Sequence, residues 1–152
     1  MVTSVLALGS IVFEIIGNPL ILYVLTSVGF AFLFDKKMDE PLWKGFVPFY
    51  NDYTLFKKVY NPTMYFVKLG SFVVSLFTFG FLIVFLIAFI VNLVIHVLLA
   101  KNMAKSFGAG TGTFFALIFI PYFWRIYMAF NDDEYLGNAY LGEVAEDIVY
   151  DD

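Results

Sequence analysis

Long apolar stretches alternate with short polar segments along this chain. Hydrophobic residues dominate 5–34, 63–100 and 113–130, and charged residues gather between these ranges and after them. About 20 apolar helical residues cross the roughly 30 Å hydrocarbon core of a bilayer. One straight helix over 63–100 would be roughly 55 Å long, so we expect this stretch to reverse near Gly80. The pattern predicts four transmembrane helices, at about 4–34, 63–79, 81–106 and 112–130.

The polar stretch after the first span carries a second pattern. Aromatic residues recur at helical spacing over 49–60, while Asn51, Thr54 and Lys58 fall on the other side. This arrangement is typical of an amphipathic helix lying in the membrane interface. We therefore predict an interfacial helix within 41–61; a short helix in water is the alternative.

Composition supports an integral membrane protein of the all-α class. Hydrophobic residues make up 61% of the chain and charged residues 14%, with a mean hydropathy of +0.84. These values are far from those of soluble domains. We predict a single transmembrane domain over 1–130, a helical bundle of about four transmembrane helices plus the interfacial helix. An acidic extracytoplasmic tail over 131–152 follows, with eight acidic residues and no Lys or Arg.

The positions of the basic residues predict the orientation. Five of the nine lie between the first two predicted spans, and Lys101 and Lys105 lie between the last two. Loops rich in Lys and Arg stay in the cytoplasm. We therefore expect loops 35–62 and 101–111 to be cytoplasmic in the cell membrane, with the N-terminus and the acidic tail outside.

The first span contains a polar stripe. Ser10, Glu14 and Asn18 follow one another at four-residue spacing, so on a continuous helix they share one face. A carboxylate in a membrane helix usually faces a bundle interior and marks an ion or proton path. A protonated Glu14 is an alternative, and so is an N-terminal segment at the surface with the true span beginning at Pro19.

Asn92 and His96 form a second polar pair, one helical turn apart in the predicted third span. A structural hydrogen bond between helices is the favoured interpretation. Proton transfer by His96, the chain's sole histidine, is the alternative. Ala100, Ala104 and Gly108 continue at the same spacing and predict close helix packing.

Arg125 lies among aromatic residues shortly before Asp132 and Asp133. From this position we expect it to extend to the outer membrane interface and to pair with the tail.

The sequence carries no recognisable signature of chemistry on nucleotides, metals or nucleic acids. It has no cysteine, no phosphate-binding glycine loop, no zinc motif and no basic patch of nucleic-acid-binding character. We predict no cofactor, no metal and no enzymatic activity.

Several short motifs carry a family resemblance. They run from Trp43 to Asn51, 99–108, 119–121 and 135–137. The chain resembles a family of small prokaryotic multi-pass membrane proteins known as a domain of unknown function. The residues that match its motifs are Pro48, Phe49, Tyr50, Asn51, Lys105, Phe107, Gly108, Pro121, Tyr135 and Gly137. Members are sometimes labelled signal peptidase I, a label this sequence does not support, because that chemistry needs an activated serine and lysine on a large domain outside the membrane.

Three functions fit these features. The first is a non-catalytic accessory subunit that binds other membrane proteins within the lipid bilayer, with a homo-oligomer possible. The second is a small transporter, channel or proton relay using Glu14 and His96. The third is an immunity-type protein that protects against a membrane-active peptide.

Overall fold

A computed structural model describes residues 18–78 and 80–144, which form helices and no strand. The six α-helices are α1 (Pro19–Lys37), α2 (Tyr50–Val59), α3 (Pro62–Phe77), α4 (Leu82–Ser106), α5 (Thr111–Phe119) and α6 (Pro121–Phe130). Two 3-10 helices span Leu42–Phe46 and Ala139–Leu141. The all-helical prediction is confirmed for this part of the chain.

Two Asn-Pro pairs set the starts of α1 and α3. The Asn18 side chain accepts hydrogen bonds from the amides of the first turn of α1, and Asn61 does the same for α3. Proline suits the first helical position because it has no amide hydrogen to leave unpaired. Asn18 itself has an extended backbone, so the polar stripe does not continue into α1 as one helix. Ser10 and Glu14 lie outside the described residues.

Helices α3 and α4 pack against each other, with Gly80 in the connection between them. By length and apolarity, α1 and α4 are the two described helices able to cross a membrane, and α3 is apolar but has only 16 residues. Four such helices were predicted, and the described residues contain two.

Residues 41–59 form what we call the first V segment, which folds back along α1. Gly45 packs against the Ala31 backbone, and the Tyr23 hydroxyl donates a 2.7 Å hydrogen bond to the Phe46 carbonyl. Ala31 lies six residues, about 9 Å, before the end of α1. The chain then reverses at Pro48–Tyr50 and returns as α2, whose Lys58 ammonium donates to the Met38 carbonyl. Both arms thus meet at the end of α1.

Burial corrects the predicted character of this region. Asn51 and Thr54, placed on the polar side of the interfacial helix, are buried, whereas Phe49 is exposed. Asn51 donates to the Gly45 carbonyl and Thr54 to the Tyr50 carbonyl, so both polar groups are used inside the fold. The helix is Tyr50–Val59 rather than most of 41–61, because it forms one arm of a V.

Residues 111–130 form the second V segment. Helix α5 runs back along α4, so that Ile118 lies beside His96. The chain breaks at Ile120 before Pro121, and α6 returns along α1, with Phe130 against Phe32. The predicted single span over 112–130 is wrong in this respect. Proline has no amide hydrogen and interrupts the helix, giving two short helices of nine and ten residues.

The two V segments repeat one design. Each follows a long helix, and each reverses at a similar sequence, Phe46-Val47-Pro48-Phe49-Tyr50 in the first and Phe119-Ile120-Pro121-Tyr122-Phe123 in the second. The returning arm of each packs on the long helix of the other unit, α2 on α4 and α6 on α1. The described fold is therefore a pair of similar units joined through α3.

The acidic tail begins at the same end as the lysine-bearing loops, which we call the loop end. The Lys37 ammonium donates to the Asn131 and Asp133 carbonyls, and the Leu136 amide donates to the Ser106 carbonyl. The Tyr135 hydroxyl donates to the Lys58 carbonyl at 2.6 Å. The tail therefore begins at the loop end, whereas the predicted topology requires the opposite end of the bundle; the reason is that the second V segment reverses before Pro121 and returns.

Candidate functional site

Ionisable side chains from four helices lie inside the bundle. The first pair joins α2 to α3, where the Lys68 ammonium lies 3.3 Å from the Asp52 carboxylate. Both side chains are partly exposed, and the ammonium also lies 5.4 Å from the centre of the Phe56 ring. Lys68 occupies the second turn of α3, roughly 9 Å from its start. The ion pair therefore lies well along the bundle from the loop end.

Asn92 connects α4 to α3. Its side-chain amide donates to the Ser71 hydroxyl at 2.8 Å and to the Ala88 carbonyl one turn earlier at 3.0 Å. This is the kind of contact that fixes two apolar helices against each other where little water competes.

His96 contacts the break in the second V segment. Its Nε2 atom lies 3.2 Å from the Ile118 carbonyl oxygen. Ile118 is in the last turn of α5, where carbonyl groups lose their helical partners. The break before Pro121 leaves the Ile118 carbonyl without a helical partner, and the imidazole lies within hydrogen-bond distance of it.

Arg125 is 7% exposed and lies in the middle of α6. Its guanidinium carbon lies 4.5 Å from the centre of the Phe30 ring, and its Nε atom is buried without a hydrogen-bond partner. No ion pair joins it to a described acidic residue. The predicted position at the outer interface, paired with the tail, is therefore wrong. Because the chain reverses at the helix break, α6 packs on α1 and the Arg125 side chain contacts Phe30 between the two helices.

Two cavities lie beside these polar side chains. A small one, of about 10 Å³, lies between α4, α5 and α6. Its lining residues are His96, Leu99, Ala100, Met103, Leu117 and Arg125. A larger one, which we call the lateral groove, has a volume of about 510 Å³. It is lined by Phe49, Asp52, Tyr65, Lys68, Leu69, Phe72 and Asn92. Charged and aromatic side chains thus share one open groove on the α2–α3 side.

The predicted packing residues lie along the loop-end half of α4. Ala100 and Ala104 are buried in the core, whereas Gly108 turns the chain with a positive φ of 60° after α4 ends. Gly108 therefore marks a turn rather than the helix face.

The family-motif residues fall in three places. Pro48, Phe49, Tyr50 and Pro121 form the two reversals. The rings of Phe107 and Tyr135 pack at the loop end, tilted by 59° with their centres 5.6 Å apart. Asn51, Lys105, Gly108 and Gly137 complete the set; of these, Asn51 is buried and Lys105 is exposed.

Tyr135 and Glu40, which lie outside the apolar helices, have shifted pKa values. Burial raises the pKa of Tyr135 to about 12, and nearby Glu143 and Glu40 act in the same direction. For Glu40, burial opposes ionisation, but hydrogen bonds from Lys44 and Lys58 outweigh it and lower the pKa of the carboxyl. Both groups hold the loops together at the loop end.

Sequence reasoning missed Asp52 and Lys68 as site residues. A usable signal exists, since Asp52 and Arg125 each lie four residues after the proline of a repeated motif. Aligning the two motifs places opposite charges at equivalent positions in the two units.

Comparison with known proteins identifies a family but no characterised relative. The sequence profile of a family of unknown function, DUF5684, matches residues 43–138, well over half of the chain. No curated protein and no solved structure matches the chain. The matched range contains nearly all of the first V segment, the α3–α4 pair, the second V segment and the start of the tail. The chain therefore belongs to the DUF5684 family of unknown function.

Proposed function

We propose that this protein is an integral membrane protein that acts as an accessory subunit, binding a transmembrane helix of a partner protein in the lateral groove. The observation that carries the proposal is the Asp52–Lys68 ion pair in a groove on the apolar part of the bundle. Charged groups facing hydrocarbon are costly, so they usually face protein or water. A partner helix with a polar side chain would cover the pair.

The apolar surface supports a position in the membrane. Large hydrophobic side chains are exposed along α3 and α4, from Phe66 to Leu98. Water-soluble proteins seldom expose so much contiguous apolar surface. In the proposed arrangement α1, α3 and α4 cross the bilayer.

The basic residues support an orientation. The loop end carries Lys36, Lys37, Lys44, Lys57, Lys58, Lys101 and Lys105. An excess of Lys and Arg favours the cytoplasmic side, so we place the loop end in the cytoplasm. The start of the tail lies there too, and the Gly80 turn lies outside.

Site-specific photocrosslinking in native membranes tests the proposal. A photoreactive residue at Phe66, exposed beside the groove, is compared with one at Ile87, exposed on α4 away from the groove lining. We expect a discrete protein adduct from position 66 and none from position 87. The Lys68→Met variant should weaken that adduct, and native mass in mild detergent should fall to that of the chain alone. Lipid adducts alone at both positions would refute the proposal.

A second candidate, an ion or proton path, is favoured by the interior position of Lys68, His96 and Arg125. Ionisable groups inside a membrane bundle often mark such paths. In this case, purified protein in liposomes should carry an ion or proton flux that His96→Gln or Glu14→Gln abolishes. Unchanged flux in both variants, or no flux with the native chain, would exclude this function.

A further inference from the structure

We propose that both V segments insert into the same leaflet of the bilayer, the one next to the loop end, where their reversals pack among lipid acyl chains. Each segment enters about halfway and returns without crossing. This inference concerns the lipid surface that the protein binds. Phe49 also lines the lateral groove, so the inference is tested in liposomes, where no partner covers it.

Contacts with the long helices set the depth of the first reversal. Phe49 lines the lateral groove with Phe72 and Asn92, which lie well along α3 and α4 from the loop end. Asn92 is nine residues before Lys101, so it lies about 13 Å deeper along α4. Since Lys101 marks the end of the apolar part of α4, this reversal reaches nearly to the middle of a roughly 30 Å hydrocarbon core.

The second reversal reaches a similar depth. Ile118, immediately before it, contacts His96, five residues before Lys101 and about 8 Å deeper. The next residues, Phe119 and Ile120, continue away from the loop end before Pro121 starts the return. Both arms then meet the loop end, because Thr111 lies beside Lys101 in one surface cleft and Phe130 contacts Lys36.

The exposed side chains at both reversals are apolar. Phe49 is 65% exposed and Phe119 is 77% exposed, although both reversals belong to a well-packed fold. Neighbouring exposed residues are Trp43, Phe46, Val47, Tyr50, Phe115, Ile120, Tyr122, Phe123 and Tyr127. Such surfaces suit acyl chains, and the aromatic residues with polar edges suit the region just below the headgroups.

Most backbone amides that begin the returning arm of the first reversal are paired within the protein, which lowers the cost of placing them in hydrocarbon. The amides of Tyr50, Asn51 and Tyr53 donate to carbonyl groups within the reversal, and the Asp52 amide donates to the Asn51 side chain. Pro48 has no amide hydrogen. The first turn of α2 therefore presents few unpaired donors, unlike an ordinary helix start exposed to water.

At the second reversal, Pro121 has no amide hydrogen, the Trp124 amide donates to the Ile120 carbonyl, and His96 Nε2 lies 3.2 Å from the Ile118 carbonyl oxygen. Part of the backbone at each reversal is thus paired within the protein, which lowers the cost of placing it in hydrocarbon.

Single cysteines test the inference, since the natural chain has none. Spin labels at Phe49→Cys and Phe119→Cys are measured in liposomes for contact with oxygen, which concentrates in lipid, and with a water-soluble nickel complex. Labels at Ile87→Cys in α4 and Asp39→Cys at the loop end give the lipid and water references. We expect both reversal labels to report lipid, with far more oxygen contact than the label at Asp39→Cys and an amount comparable to that at Ile87→Cys, which lies about 21 Å from Lys101 and so nearer the opposite surface. Strong contact of either with the nickel complex would overturn the proposal.

A second measurement distinguishes insertion from crossing. A membrane-impermeant thiol reagent is added to vesicles of known orientation that contain Asp39→Cys, Gly80→Cys or Asp133→Cys. We expect Asp39→Cys and Asp133→Cys to react from the same side and Gly80→Cys from the other. Reaction of Asp133→Cys from the side of Gly80→Cys would show that 111–130 crosses the bilayer. Liposomes contain no partner, so these results do not depend on the accessory-subunit proposal.

Discussion

Replacing Gly45 with alanine should separate the first V segment from α1. A Cβ atom at Gly45 would lie 2.2 Å from the Ala31 amide nitrogen and 2.4 Å from its Cα. Ordinary contacts of a Cβ atom begin near 3.4 Å, so the two backbones must move apart by more than about 1 Å. Backbone atoms in packed segments do not rotate away as a flexible side chain does.

The structure gives the expected magnitude. Overpacking a well-filled site costs about 1–3 kcal/mol, and contact with backbone places this case near the upper limit. The shift also strains the hydrogen bonds from Tyr23 to Phe46 and from Asn51 to Gly45, each contributing about 1 kcal/mol. We expect Gly45→Ala to lower the free energy of unfolding by about 3 kcal/mol.

Unfolding in mixed detergent micelles, followed by circular dichroism as the denaturing detergent increases, measures the change. Gly70→Ala is the matched control, because a Cβ there meets nothing within 4 Å and Gly70 lies inside α3. Alanine favours helices over glycine by about 0.5–1 kcal/mol, so this control should be neutral or more stable. Equal stability of Gly45→Ala and the native chain would refute the close packing of the first V segment on α1.

Three further predictions concern polar contacts, each measured by the same unfolding assay. Asn138→Ala should cost about 2 kcal/mol, because the buried side chain donates to the Lys57 and Tyr60 carbonyls; a change near zero would contradict this. Asn92→Leu should cost less, about 0.6 kcal/mol as for other bonds between membrane helices, and a loss as large as that of Asn138→Ala would be inconsistent with a simple Ser71 contact. The raised pKa of Tyr135 means that its neutral form stabilises the fold, an effect complete below pH 10 and lost as pH rises towards 12; Tyr135→Phe should reduce this loss, and an unchanged pH profile would count against it.

Sequence signals predicted helix boundaries best where the boundary depends on neighbouring residues or on segment length. The reversal near Gly80 follows from length alone, since one helix over 63–100 would be too long for a bilayer. The predicted first span ran over 4–34, and a start at Pro19 was only the alternative; the structure begins a capped helix at Pro19.

Predictions that depended on long-range packing were less successful. The apolar pattern of 112–130 is the same whether the segment crosses a membrane or turns back, and the effect of Pro121 on direction depends on its contacts with α1 and α4. Likewise, Asn51 and Thr54 have polar side chains but are buried because carbonyl groups of the same V segment accept their hydrogen bonds. A pattern of residue types contains no information about such partners.

The hydrogen bonds at the loop end have a consequence for biosynthesis. The carbonyl groups of Lys57, Lys58 and Tyr60, at the end of α2, receive donors from Tyr135 and Asn138. These donors follow in sequence by about 78 residues, so they leave the ribosome seconds later at ordinary rates of synthesis. During that interval the first V segment is made but its loop-end bonds are open. The last residues of the family-matched range therefore complete the fold, and a ribosome stalled before Tyr135 would expose a first V segment without these hydrogen bonds to chaperones and proteases.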